Sequence, residues 1–116
     1  MRAARPTDRL PLDEQVDLLH DILGQSPLFL EVLHRARRLG LPGWYLGAGC
    51  VAQTVWNVLG SRPPDEGIRE YDLPYFEVSD LSWEAEDRAI QAVTPIFAGL
   101  PVGVEVRNEG RVHLLV

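Results

Sequence analysis

There is no lysine in this 116-residue chain, so arginine carries all of its side-chain positive charge apart from histidine. Cysteine occurs once, as Cys50, which excludes an internal disulfide. Long apolar runs are also missing: none reaches the ~18 residues that a membrane-spanning helix needs. The basic N-terminus leads into a segment holding Pro11 and Asp13 rather than a signal-peptide core, so the expected location is cytoplasmic, with no membrane partner. Basic charge is scarce overall, and the formal net charge is −6. That balance argues against duplex DNA as a partner, because duplex binders present a basic face. It is compatible with a nucleotide, since a bound divalent cation brings its own positive charge.

What is present reads as one ordinary globular domain. Hydrophobic residues make up 46% and charged residues 24%, and a chain of this length can bury roughly 65% of its unfolded surface. Residues 1–10, with Arg2, Arg5 and Arg9, are expected to be a flexible, solvated segment, and residues 11–116 a single domain.

Apolar spacing at Leu12, Val16, Leu19, Ile22 and Leu23 predicts a first helix that Gly24 ends. Ser26 and Pro27 open a second, lined by Leu28, Val32, Leu33, Ala36 and Leu39, with Arg35, Arg37 and Arg38 at its C-terminal end, where the helix dipole favours cations. Trp44 to Leu46 reads as a short buried strand, and Gly47-Ala48-Gly49 turns into a helix over residues 50–59 that buries Val51, Val55, Val58 and Leu59. After the loop SRPPDEG, Ile68 to Glu77 is a strand interrupted or placed at an edge by Pro74. Ser82 caps a helix over residues 83–98 that buries Trp83, Ile90, Val93 and Phe97, with a kink or stop at Pro95. Val102 to Arg107 alternates as a strand, Asn108 to Gly110 turns, and Val112 to Val116 returns. The predicted order is α-α-β-α-β-α-β-β, an α+β arrangement (α/β-like) with helices on one face of a small mixed sheet.

Two features carry chemistry. Glu70 and Asp72 are two apart on a strand, so they share one face roughly 6.6 Å apart along its axis. Pairing with the later strand would bring Glu105 alongside, and three converging carboxylates can hold one or two Mg²⁺ ions that neutralise a triphosphate and activate an attacking oxygen. On its own, Glu-x-Asp is a weak signal, more often an exposed polar face. The second feature is the turn Gly47-Ala48-Gly49, which lets the backbone approach a ligand and turns the N–H groups of the next helix toward phosphates. On its own it is more often a tight strand-to-helix turn.

Together, a glycine turn, a helix, a loop and a carboxylate-x-carboxylate strand resemble the DNA polymerase beta superfamily of nucleotidyltransferases. The stretches WYLGAGCVAQTVWNVL, IREYDLPYFE, DLSWEAED and VEVRNEGRVHL resemble, more closely, a bacterial branch of nucleotidyltransferase family proteins, and cover most of Pro42 to Leu114. The resemblance implies that Gly47, Ala48 and Gly49 hold nucleotide phosphates. It implies that Glu70 and Asp72 are the paired metal-binding carboxylates and Glu105 the third carboxylate and base. It assigns no role to Asn108, Arg111 or His113. The implied activity is Mg²⁺-dependent transfer of a nucleotidyl group from a nucleoside triphosphate to a hydroxyl acceptor. Three departures stand out: Glu70 where aspartate is usual, Pro74 where a β-branched residue is usual, and relatives that continue past the position of Val116. The chain is then expected to be a fragment or to complete its sheet with another molecule, in the simplest case as a homodimer through its last strand. The alternatives are a catalytically impaired relative that binds a nucleotide or a protein, and an interaction domain.

Other candidates offer less. His20 and His34 have no partner at metal-ligand spacing and read as helix surface. Cys50 lacks a histidine partner and reads as a small buried residue. Trp44, Trp56 and Trp83 read as core.

Overall fold

The structure, a computed structural model, describes residues 10–111. The arginines at positions 2, 5 and 9, the expected return strand over 112–116 and His113 lie outside the described residues. Within them the elements are α1 (Leu12–Leu23), α2 (Pro27–Ala36), α3 (Ala48–Leu59), β1 (Glu70–Tyr75), α4 (Trp83–Val93) and β2 (Gly103–Asn108). This is an α+β fold with a small two-stranded sheet, and none of these helices is long and apolar enough to cross a membrane.

The helix starts follow local chemistry. Ser26 Oγ accepts from the Phe29 N–H at 3.0 Å, and Ser82 Oγ accepts from the Ala85 N–H at 3.1 Å. Helix α4 stops at Val93, five residues before the predicted end, because Pro95 has no N–H to continue the ladder. The chain then turns through residues 94–99, and Arg35 holds that turn by donating from Nη1 to the Ile96 and Ala98 carbonyls. Arg35 therefore does more than sit favourably at a helix end.

β1 and β2 are parallel, which requires a crossover, and α4 lies on the connecting segment and packs on β2. The segment before α3, expected as a strand, forms no ladder of its own. It runs along the other edge of β1 through three bonds: Tyr45 N–H to Pro74 O, Gly47 N–H to Asp72 O and Phe76 N–H to Pro42 O. β1 is unbroken at Pro74 and is an edge strand of the two-stranded sheet, the second of the two expected outcomes. The Pro74 carbonyl faces the Tyr45 edge, and a strand residue directs its N–H and C=O the same way. The missing donor is therefore on that edge, and the bonding to β2 is intact.

The core gathers Phe29, Val32 and Ala36 of α2, Tyr71, Leu73 and Tyr75 of β1, and Val93, Phe97 and Val106. Phe29 meets Tyr71 edge to face, with centroids 6.1 Å apart. Several residues expected to be buried, and the apolar positions that marked the first helix, lie outside it. Trp56 and Trp83 are 62% and 61% exposed, Leu59 68%, and Leu12 75%. Ile90, Val16 and Leu19 are also exposed, while Trp44 is partly buried against the core. In α3 the fully buried stripe is Cys50, Thr54 and Asn57, rotated from the predicted valine face. The reason is polar: Asn57 Nδ2 donates to the Pro64 and Glu66 carbonyls and pins the proline-rich loop, while Thr54 Oγ1 donates back to Cys50 O.

Candidate metal and nucleotide site

The alternation of β1 separates its two faces. Tyr71, Leu73 and Tyr75 enter the core, and Glu70 and Asp72 face solvent. The parallel register sets Asp72 opposite Glu105 and Glu70 opposite Gly103. One oxygen from each of Glu70, Asp72 and Glu105 lies within 4.8 Å of the others, and all three residues are solvent-exposed. The longer stem of Glu70 does not keep its carboxylate out of this cluster.

The Gly47 turn closes one side. A Cβ on Gly47 would stand 3.0 Å from Asp72 Cβ and 3.6 Å from Asp72 Oδ2, so only glycine lets the turn lie this close to the carboxylate. Gly47 is also the N-cap of α3. No side chain caps this end and no acidic residue occupies its first turn. Its first N–H groups are left without the side-chain acceptors that cap α2 and α4.

These parts line one cleft of about 540 Å³, a size typical of small-molecule sites. Gly47 and Ala48 border it with the three carboxylates. Gly49 does not; it edges a smaller depression beside Cys50 and Gly67, with open space where its Cβ would be. The cleft also contains residues that sequence reading did not assign to it: Tyr45, Arg107 and Glu109. Strand parity already puts Arg107 on the face of Glu105, a signal that could have identified it. Tyr45 joins only through its bond to Pro74, which no local pattern reveals.

Donor chemistry fits a hard cation. Three carboxylates supply hard oxygen ligands from two neighbouring strands. The nearest compensating charge is Arg107, whose Nη2 donates to Glu105 Oε1.

Two other stretches are structural. Asn108 is buried; its Oδ1 accepts from the Glu77 and Gly110 N–H groups, and its Nδ2 donates to Glu77 O. Glu86 accepts from the Asn108 N–H and from Arg111 Nη1 at 2.7 Å, and Arg111 Nε donates to Leu81 O. Cys50 is buried, as expected, and its thiol donates to Gly47 O. Burial pushes that thiol above its ordinary value, and the charge of Asp72 adds to the rise against backbone N–H groups that lower it. A position at a helix N-terminus does not make it a thiolate. His20 and His34 are on the surface.

No curated protein and no solved structure matches the chain. A family model described as nucleotidyltransferase matches residues 34–116, a span that begins in α2 and contains the Gly47 turn and all three carboxylates. With well over half of its length matched, and the matched part holding the whole cleft, the chain belongs to the nucleotidyltransferase family.

Proposed function

We propose that the chain is a Mg²⁺-dependent nucleotidyltransferase with the polymerase beta-like arrangement of catalytic groups, acting on a nucleoside triphosphate and a hydroxyl acceptor. The observation that carries this is the β1–β2 register, which sets Asp72 against Glu105 with Glu70 beside them and the Gly47 turn against Asp72. Glu70, Asp72 and Glu105 are the residues that would hold the metal. When bound, Mg²⁺ supplies charge neutralisation of the triphosphate and polarises the reacting phosphorus.

The protein's own groups do the rest. The Gly47–Ala48 backbone cradles phosphate oxygens at the uncapped start of α3. Glu105 accepts the proton of the acceptor hydroxyl as its oxygen bonds to the α-phosphorus. The bond from that phosphorus to the bridging oxygen breaks, and pyrophosphate leaves. Most of the acceleration would come from position and electrostatics.

The test is calorimetric. Wild-type protein should bind a non-hydrolysable triphosphate only when Mg²⁺ is present, and chelation of Mg²⁺ should abolish the signal. Asp72→Asn, isosteric and exposed, should keep the fold and lose at least about tenfold in Mg²⁺-dependent affinity. Absence of any Mg²⁺-dependent affinity in the wild-type chain overturns the reading.

A further inference from the structure

We propose that Arg107 is a triphosphate-binding residue, held on Glu105 until a divalent cation takes that carboxylate. This rests on the metal-dependent reading of the cleft and adds a residue and an order of events to it.

The five ion pairs among the described residues differ in where they lie. Arg35, Arg62, Arg88 and Arg111 pair with Glu31, Glu66, Asp80 and Glu86, none of which lines the cleft. Arg107 pairs with Glu105, a member of the carboxylate cluster. It is also the single basic side chain among the described residues that line the cleft, against four carboxylates, Glu109 being the fourth.

Position explains what it can reach. Arg107 lies two residues beyond Glu105 on the same face of β2, opposite Pro74 in the register. It is therefore displaced along the strand from the Asp72–Glu105 pair by roughly 6.6 Å. Glu105 is the one hydrogen-bond partner of its side chain among the described residues, and most of its five donors have no acceptor among them. A planar fork of that kind matches phosphate oxygens.

The latch is weak by construction. The two side chains are 63% and 41% exposed, and an exposed pair holds its partners by a factor of about five at most. A divalent cation bound by three carboxylates outcompetes it. Without a cation the cleft is net negative and repels a polyphosphate. With a cation, Glu105 is engaged and the guanidinium is released beside the ligand. The cation thus changes both the sign of the cleft and the partner of Arg107.

Two titrations by calorimetry test this on the full chain, with wild type, Arg107→Ala and Arg107→Lys. The probes are Mn²⁺ alone, and a triphosphate with a methylene bridge between its α and β phosphorus atoms, added with Mn²⁺ saturating. Arg107→Ala should bind Mn²⁺ about two- to fivefold more tightly, because Glu105 is no longer shared. It should bind the triphosphate at least about tenfold more weakly. Arg107→Lys keeps the charge and loses the fork, so it should recover part of the second loss. A residue that only shores up the sheet would weaken both titrations together. Weaker Mn²⁺ binding in Arg107→Ala, or triphosphate affinity within twofold of wild type, overturns the proposal and leaves the metal site standing. A wild-type chain that binds neither probe overturns the metal site and the proposal with it.

Discussion

The two ends of β2 treat acidic groups in opposite ways. Past its C-terminal end, Glu86 is tucked against the Asn108 N–H and Arg111, and every polar atom of the Asn108 side chain has a protein partner. On its open face, Glu70, Asp72 and Glu105 share one small space with a single guanidinium between them. The first arrangement is satisfied from within the chain, and the second is not. Carboxylates that meet their own donors build structure, whereas carboxylates that meet one another leave ligand positions open. The contrast lies along a strand of six residues.

The largest effect should come from the satisfied end. Asn108→Ala removes three hydrogen bonds and leaves the buried Gly110 N–H and the part-buried Glu77 N–H and C=O without these partners. Urea unfolding should show a loss of about 2–4 kcal/mol. If the loss is under about 0.5 kcal/mol, the clasp is not what holds the end of β2.

Next is the joint between turn and cleft. Gly47→Ala puts a methyl 3.0 Å from Asp72 Cβ, so the turn or the strand must shift. The expected cost is about 1–2 kcal/mol in urea, with Mg²⁺-dependent stabilisation in thermal melts reduced as well. An unchanged response to Mg²⁺ would mean the close approach is packing alone.

A smaller effect tests the core behind the cleft. The Tyr71 hydroxyl is buried beside Ser26 without completing a hydrogen bond, and burial pushes it from 10.0 up to about 12. The unfolded chain therefore loses this proton first. Stability from the neutral hydroxyl is full below about pH 10 and drains away as pH rises to about 12, by roughly 1 kcal/mol at pH 11. Tyr71→Phe should flatten that part of the stability–pH curve; an identical slope in both proteins would remove Tyr71 as its source.

The smallest stability change belongs to the open face. Asp72→Asn should alter unfolding free energy by no more than about 0.5 kcal/mol in the absence of metal, since it removes a repelling charge from an exposed site. A large loss would make Asp72 a structural residue and blur the contrast with Asn108.

Some of this was legible in the chain. Ser26 and Ser82 announced helix starts, because a cap is a contact three residues long. The period of two in residues 70–76 announced which side chains of β1 face out together. Core membership was less legible. Val51, Val55, Val58 and Leu59 looked like a buried face, yet Asn57 and Thr54 took that place because the loop at 61–67 needed donors. Trp56 and Trp83 are hydrophobic enough for a core, but no surface among the described residues covers them.

What the sequence determined by itself is therefore local: helix caps, strand parity, the Gly47 turn and the identity of three acidic residues. Those depend on neighbours within a few positions along the chain. Only the tertiary structure decided that β1 and β2 run parallel in a register that sets Asp72 on Glu105, that Gly47 closes against Asp72, and that Arg107 shares the cleft. Strand pairing joins residues 33 positions apart, and a slip of one residue would turn Glu105 to the other face.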